Sequence, residues 1–149
     1  MVYLTRRYRL SAAHRLHNES MSAEENARLY GKCNNPRGHG HDYAVEVTVA
    51  GEVDPRTGMV MDLALLDELV EREILRRFDH KHLNLDVENF HTKVPTTENL
   101  CLEIYDLLSP HFCTGRQEPG TVRLDGIRVE ETRSNSFEYR GESGSRERI

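Results

Sequence analysis

His39-Gly40-His41 opens a run of alternating residues and is the sharpest chemical signal in the chain. On a strand, residues i and i+2 project to one side, with Cα atoms about 6–7 Å apart. Neutral imidazoles at that separation converge on a single divalent ion, and the intervening glycine leaves room for it. A third histidine, His14, ends another strand-like run in which Tyr8, Leu10 and Ala12 share its face. Three protein ligands with one position left open are the pattern of catalytic zinc, whereas four closed ligands mark a structural site. His14, His39 and His41 are therefore the expected Zn2+ ligands.

Other residues supply reactive groups. Cys33 sits in the polar loop Lys32-Cys33-Asn34-Asn35-Pro36-Arg37-Gly38. It reads either as a fourth zinc ligand or as a reactive thiolate favoured by a nearby cation. Asp79-His80 has the composition of an acid–base pair, an aspartate orienting an imidazole, although the same dipeptide also suits a solvated helix end. Thr96-Thr97-Glu98 is most simply a helix start. Glu131 follows Ile127 and Val129 on an apolar face, where a carboxylate needs N–H donors and so points to a ligand.

The elements that position these groups follow from periodicity. Residues 3–13 read as a strand; Ser22 and Glu25 have capping-box spacing for a short helix that Gly31 stops. The loop 32–38 is expected to be irregular. Residues 39–50 alternate, with His39, His41, Tyr43, Val45, Val47 and Val49 on one face. A Pro/Gly turn at 53–58 leads to a returning strand at 59–61. Asp62 then caps a helix to about Arg77, with Leu65, Leu66, Leu69, Val70 and Leu75 as its apolar stripe. Residues 79–95 read as irregular, and a helix capped near Thr97 carries Leu100, Ile104, Leu107 and Leu108 inward. Strands at 121–131 and 136–140 close the domain, with a bulge near Gly126 where the apolar parity switches. The fold class is α+β: a four-stranded antiparallel sheet with two helices on one face. Its bare edges call for a homo-oligomer. The domain spans 1–141, followed by a polar tail at 142–149.

At 149 residues the chain fits one domain with a real core. No apolar run is long enough to span a membrane and no signal-peptide pattern opens the chain, so a cytoplasmic location is expected. A net charge of −5 argues against nucleic acid as the main partner. Lys32 and Arg37, near two proposed ligands, are candidates for a small anionic group. Three cysteines without paired spacing are not a disulfide framework; Cys101 and Cys113 read as buried small hydrophobes.

Taken in order, these motifs resemble the 6-pyruvoyl-tetrahydropterin synthase family and its relative, 6-carboxytetrahydropterin synthase. The similarity runs from Ser11-Ala12-Ala13-His14-Arg15-Leu16 through Gly31-Lys32-Cys33-Asn34-Asn35-Pro36-Arg37-Gly38-His39-Gly40-His41. It continues with Gly51-Glu52-Val53-Asp54-Pro55-Arg56-Thr57-Gly58-Met59, Asp79-His80-Lys81, Thr96-Thr97-Glu98-Asn99, Glu131-Thr132 and Tyr139-Arg140-Gly141-Glu142. The resemblance implies the tunnelling fold, in which trimers close a twelve-stranded barrel and two trimers stack into a hexamer. It implies that His14, His39 and His41 hold zinc, that Cys33 is a proton-abstracting thiolate, and that Asp79 with His80 is its acid–base partner at a site shared between subunits. It further implies that Glu131 anchors the pterin, with Thr96 and Thr97 lining the same pocket.

The implied activity is that of a carbon–oxygen lyase acting on phosphate. It converts 7,8-dihydroneopterin triphosphate to 6-pyruvoyl-tetrahydropterin and triphosphate, for tetrahydrobiopterin biosynthesis, without a nicotinamide. The alternative product, 6-carboxytetrahydropterin for queuosine and other deazapurines, goes in the family with a shorter Cys-x3-His-Gly-His loop; this chain has Cys-x5-His-Gly-His. A rival of another class is a non-catalytic, zinc-stabilised pterin-binding protein.

Overall fold

A computed structural model of the chain describes residues 1–113 and 121–141. The polar tail at 142–149 lies outside the described residues. The alternating runs form long strands, β1 (Val2–His14) and β2 (His39–Gly51), paired antiparallel along their whole length. β2 pairs in turn with β4 (Val122–Thr132), and β4 with β5 (Asn135–Tyr139), both antiparallel. The expected four-stranded antiparallel sheet needs one correction. A two-residue strand, β3 (Lys81–His82), adds parallel to β1, so the sheet is five-stranded and mixed, in the order β3-β1-β2-β4-β5.

Even-numbered residues of β1 and odd-numbered residues of β2 share the buried face. Leu10, Ala12, Tyr43, Val45, Val47 and Val49 pack there with Leu124, Ile127 and Val129 of β4. Two principal helices cover that face. Asp62 caps α2 (Leu63–Val70) by accepting from the Ala64 N–H, and its helix continues through a π-helical stretch, Glu71–Leu75, into α3 (Arg76–Phe78). The buried set is Leu66, Leu69, Val70, Ile74 and Phe78; Leu65, expected inward, is 58% exposed. A spacing of four outruns the 3.6-residue period of an α-helix, and the wider π turn absorbs the excess, which keeps Ile74 and Phe78 on the core. α2 is also tied to β1 through Asp67, which accepts two bonds from the Arg6 guanidinium and one from the Tyr8 hydroxyl.

The second principal helix, α5 (Thr97–Leu108), buries Leu100, Cys101, Ile104 and Leu108. Its cap is Thr96, one residue before the expected Thr97: the Thr96 hydroxyl accepts from the Asn99 N–H, leaving Thr97 free to point inward. Burial pushes the Cys101 thiol up to about 12. Cys113, expected to be buried, is exposed.

Shorter elements complete the picture. The capping box of α1 (Ala23–Tyr30) is formed in both directions between Ser22 and Glu25, and Gly31 ends it at φ 54°. The loop expected after it begins with a 3-10 turn, Gly31–Asn34. No strand forms at 59–61: the Thr57 and Gly58 N–H groups bond the Asp54 carbonyl, the Asp54 N–H bonds the Met59 carbonyl, and Asp62 then starts α2 at once. The stretch 79–95 is more ordered than expected. It holds β3, α4 (Leu83–Asp86) and a 3-10 turn, Glu88–Phe90, and it sinks Leu83, Val87 and Phe90 into the core. The bulge expected near Gly126 is present: Thr48 pairs with Gly126 but Val49 with Leu124, leaving Asp125 unmatched.

Gly38 bridges the loop into β2 at φ 75°, and a Cβ there would lie 2.7 Å from the His14 carbonyl oxygen and 2.9 Å from His82 Nε2. Gly31 also has a positive φ, but a Cβ there meets nothing within 4 Å. Gly31→Ala should therefore cost only the backbone penalty of about 1 kcal/mol. Gly38→Ala should cost that plus about 1–3 kcal/mol of overlap. Urea unfolding of both variants checks this; equal losses would refute the close approach.

Candidate metal centre and active site

The register sets the site. His14 pairs directly with His39, and Ala12 with His41, so all three imidazoles stand on the buried face where β1 ends and β2 begins. Their ring centroids lie 4.7 Å (14–39), 5.1 Å (14–41) and 4.8 Å (39–41) apart. One nitrogen from each falls within 4.8 Å of the other two. Among the described residues this trio is the group of histidine, cysteine and acidic side chains able to share an ion, and Cys33 stands outside it.

Hydrogen bonds set the tautomer of His14, which is 1% exposed. Its Nδ1 lies 2.8 Å from the carbonyl oxygen of Pro95, a residue buried just before α5. A carbonyl only accepts, so Nδ1 carries the proton and Nε2 keeps its lone pair. That Nε2 faces His39 Nε2 at 3.1 Å, a pairing that a shared cation or a shared proton satisfies. Burial, followed by the neighbouring His39 and His41, lowers the His14 pKa to about 4 against the pull of the Pro95 carbonyl. Burial and His41 likewise lower that of His39. Neutral imidazoles with inward lone pairs are what a divalent ion requires, so the residues present fit a metal.

Glu131 joins the trio. Its Oε1 lies 3.6 Å from His41 Nε2 and 3.8 Å from His14 Nε2. The Thr97 hydroxyl donates to Oε1 at 2.7 Å, and the Asn135 amide donates to Oε2 at 2.7 Å. Burial alone would raise its pKa; those two donors, with His41 and His14, outweigh it and hold the carboxylate below its usual range. Tyr43 closes the floor, its hydroxyl 3.4 Å from His14 Nδ1, with a pKa raised chiefly by burial and then by Glu131. Cys33 is half-buried in the 3-10 turn and within electrostatic reach of Tyr43.

Asp79 and His80 are placed elsewhere. Asp79 Oδ1 accepts from the Ser11 N–H at 2.9 Å, and the His80 N–H donates to the Ser11 carbonyl at 2.6 Å. Ser11 and Ala13 face Asp42 and Gly40, the parity opposite to that of the histidine trio. His80 has φ 57°, unusual for a residue other than glycine, and its side chain is 83% exposed at 3.7 Å from Asp79 Oδ2. One chain thus gathers His14, His39, His41, Thr97 and Glu131, and holds Asp79 and His80 at the outer edge of β1, away from the trio's ring nitrogens. Thr96 serves its helix cap. Sequence reasoning missed Pro95, Tyr43 and Asn135. Tyr43 shares the parity of His39 and His41 and was legible on that ground; the other two carry no local signal.

The chain can now be set beside known proteins. The sequence profile of the 6-pyruvoyl tetrahydropterin synthase family matches residues 3–142. Proteins named 6-pyruvoyl tetrahydrobiopterin synthase are 48% identical in Poecilia reticulata, over 94% of this chain and 90% of the relative, and 47% identical in Homo sapiens, over 93% and 91%. The solved structure of Caenorhabditis elegans 6-pyruvoyl tetrahydropterin synthase superposes with a TM-score of 0.83 at 42% identity, covering 94% of this chain and 95% of that one. A putative 6-carboxy-5,6,7,8-tetrahydropterin synthase of Archaeoglobus fulgidus is 39% identical, but over only 60% of this chain and 70% of its own length. On its profile match, its relatives and its fold, the chain belongs to the 6-pyruvoyl tetrahydropterin synthase family.

Proposed function

We propose that this chain converts 7,8-dihydroneopterin triphosphate to 6-pyruvoyl-tetrahydropterin and triphosphate, with Zn2+ held by His14, His39 and His41. The observation that carries the reading is the trio itself: three imidazole nitrogens within 4.8 Å of one another, with the Glu131 carboxylate 3.6 Å from His41. Zinc, when bound, supplies Lewis acidity toward the hydroxyls of the substrate side chain. Three protein ligands leave a position for those hydroxyls.

The chain's own residues do the rest. The Pro95 carbonyl fixes His14 with its lone pair toward the ion. Cys33 takes a carbon-bound proton from the side chain. Glu131, held ionised by Thr97 and Asn135, accepts N–H bonds from the guanidine-like edge of the pterin. Asp79 and His80 pass protons to a neighbouring copy's site, since in their own chain they sit at the outer edge of β1 with the His80 ring exposed. Elimination of triphosphate and internal redox balance without an external oxidant, as the side-chain diol becomes a diketone while the ring is reduced. We further infer the tunnelling-fold assembly, trimers closing a barrel and pairing into a hexamer. Among the described residues, β3 and β5 end the sheet with unpaired edges, and such an assembly would cover them.

The pyruvoyl product is preferred over 6-carboxytetrahydropterin because the Cys-x5-His-Gly-His loop has the longer spacing and the more similar relatives carry the pyruvoyl name.

Three outcomes test this reading. Zinc-loaded protein incubated with dihydroneopterin triphosphate should give 6-pyruvoyl-tetrahydropterin by mass; release of acetaldehyde would instead mark the carboxy product. Cys33→Ala should keep one zinc per chain and lose turnover by at least about a hundredfold, the usual scale of acid–base catalysis, while His39→Ala should lose the metal. Loss of zinc in Cys33→Ala would favour a closed four-ligand site, and unchanged turnover a non-catalytic protein. Finally, co-expressed Cys33→Ala and His80→Ala chains should regain part of the activity that each lacks alone. No recovery in mixed oligomers would place both residues in one chain's site.

A further inference from the structure

We propose that the cleft behind the metal trio seats the triphosphate tail of the substrate; this rests on the catalytic reading above. The cleft, of about 1030 Å³, lies between the 15–20 and 36–37 segments and the 82–95 stretch. That is ample for a charged tail. Its lining concentrates cations in an acidic chain: Arg15, Arg37 and Lys93, with the imidazoles of His17, His82 and His91.

The carboxylates facing it leave an excess of positive charge. Glu19 also lines the cleft, 3.6 Å from His17, and Glu103 takes the Lys93 ammonium at 2.9 Å. Among the described residues, neither Arg15 nor Arg37 forms an ion pair with a carboxylate. Arg15 is held rather than loose. Its Nε donates to the Asn34 carbonyl at 3.1 Å, and the Asn84 amide bonds both its backbone N–H and its carbonyl at 2.8 Å. The guanidinium NH2 groups beyond Nε remain for a ligand, and a planar guanidinium fork matches phosphate oxygens. His82 Nδ1 is buried and makes no hydrogen bond among the described residues.

Position decides what the anion is. Arg15 follows His14 in the chain, and the cleft wall includes Pro95, whose carbonyl holds His14 Nδ1. The substrate carries its triphosphate on the side chain whose hydroxyls reach the metal, so the tail must lie only a few bonds from the trio. A basic cleft sharing Pro95 and the His14–Arg15 backbone with the metal centre meets that requirement.

Inorganic tripolyphosphate is the probe, used on the full-length zinc-loaded enzyme with zinc content measured before and after. It should inhibit competitively with dihydroneopterin triphosphate, more weakly as salt rises. Arg37→Ala and Lys93→Ala should each weaken it about tenfold, as loss of a charge-assisted bond to phosphate does. Both should raise KM in parallel with little change in kcat, and leave the affinity for neopterin, which lacks phosphate, unchanged. Arg37→Lys should recover part of the loss, which a merely structural defect would not. Unchanged tripolyphosphate affinity in the double variant, or inhibition that does not compete with substrate, would overturn the assignment and leave the catalytic reading standing. Tight, cleft-dependent tripolyphosphate binding by an enzyme that cannot turn over the pterin would sink the catalytic reading instead.

Discussion

The site depends on the antiparallel register between β1 and β2. With His14 opposite His39 and Ala12 opposite His41, three imidazoles stand on one face within reach of one ion. A slip of one residue would send His14 to the other face and dissolve the trio. The register is specified from both sides. On the buried face, Leu10, Tyr43, Val45, Val47 and Val49 leave no exposed alternative. On the open face, Thr5 bonds Thr48, Arg7 pairs with Glu46, and the Ser11 hydroxyl donates to Asp42 at 2.6 Å. Three polar cross-strand pairs, at positions 5, 7 and 11, make any other pairing lose partners as well as burial.

Placing imidazoles in a core carries a penalty unless their polar atoms are satisfied. Here the arrangement turns that penalty into function. The Pro95 carbonyl takes the His14 Nδ1 proton, and burial keeps the ring neutral, so the remaining lone pair is directed inward. Glu131 solves the matching problem for a carboxylate. Thr97 and Asn135 hold its two oxygens, one from the start of α5 and one from the turn into β5. That explains why the helix cap falls on Thr96: with Thr96 serving the backbone, the next threonine is free to serve the site.

Much of this was legible in the sequence because the signals are local. Alternation in 39–50 placed His39 and His41 on the core face, the Ser22/Glu25 spacing gave the capping box, and the parity change near Gly126 gave the bulge. What escaped reading depends on tertiary partners. β3 is two residues long and exists only because the β1 edge accepts it. Leu83, Val87 and Phe90 lie in a stretch without a regular period, so burial there follows from docking. The π segment brought Ile74 rather than Leu75 fully into the core because a fixed 3.6 period cannot anticipate an inserted wide turn. Asp79-His80 had the right composition for acid–base work, but its place at the outer edge of β1 was set by the Ser11 backbone, which no spacing within the dipeptide reveals.

That placement bears on how the chemistry is completed. The Ser11 backbone holds Asp79 at the outer edge of β1, while His14, three residues later, stands on the buried face with the other two imidazoles. Backbone N–H and C=O groups lie in the plane of the sheet, so the 79–82 segment extends the sheet outward from β1 instead of packing on the face that carries the trio. His80 nevertheless keeps a positive φ and an exposed ring, a conformation of some cost, and among the described residues its ring pairs with Asp79. Strain held at an exposed, chemically capable residue is accounted for if the ring acts outward, toward another copy. On that reading the edge strand β3 and the pair preceding it belong to one design: the 79–82 segment both ends the sheet and presents the proton carrier. Assembly and catalysis would then be linked through four consecutive residues, so that an isolated chain would bind metal yet lack half of its acid–base machinery.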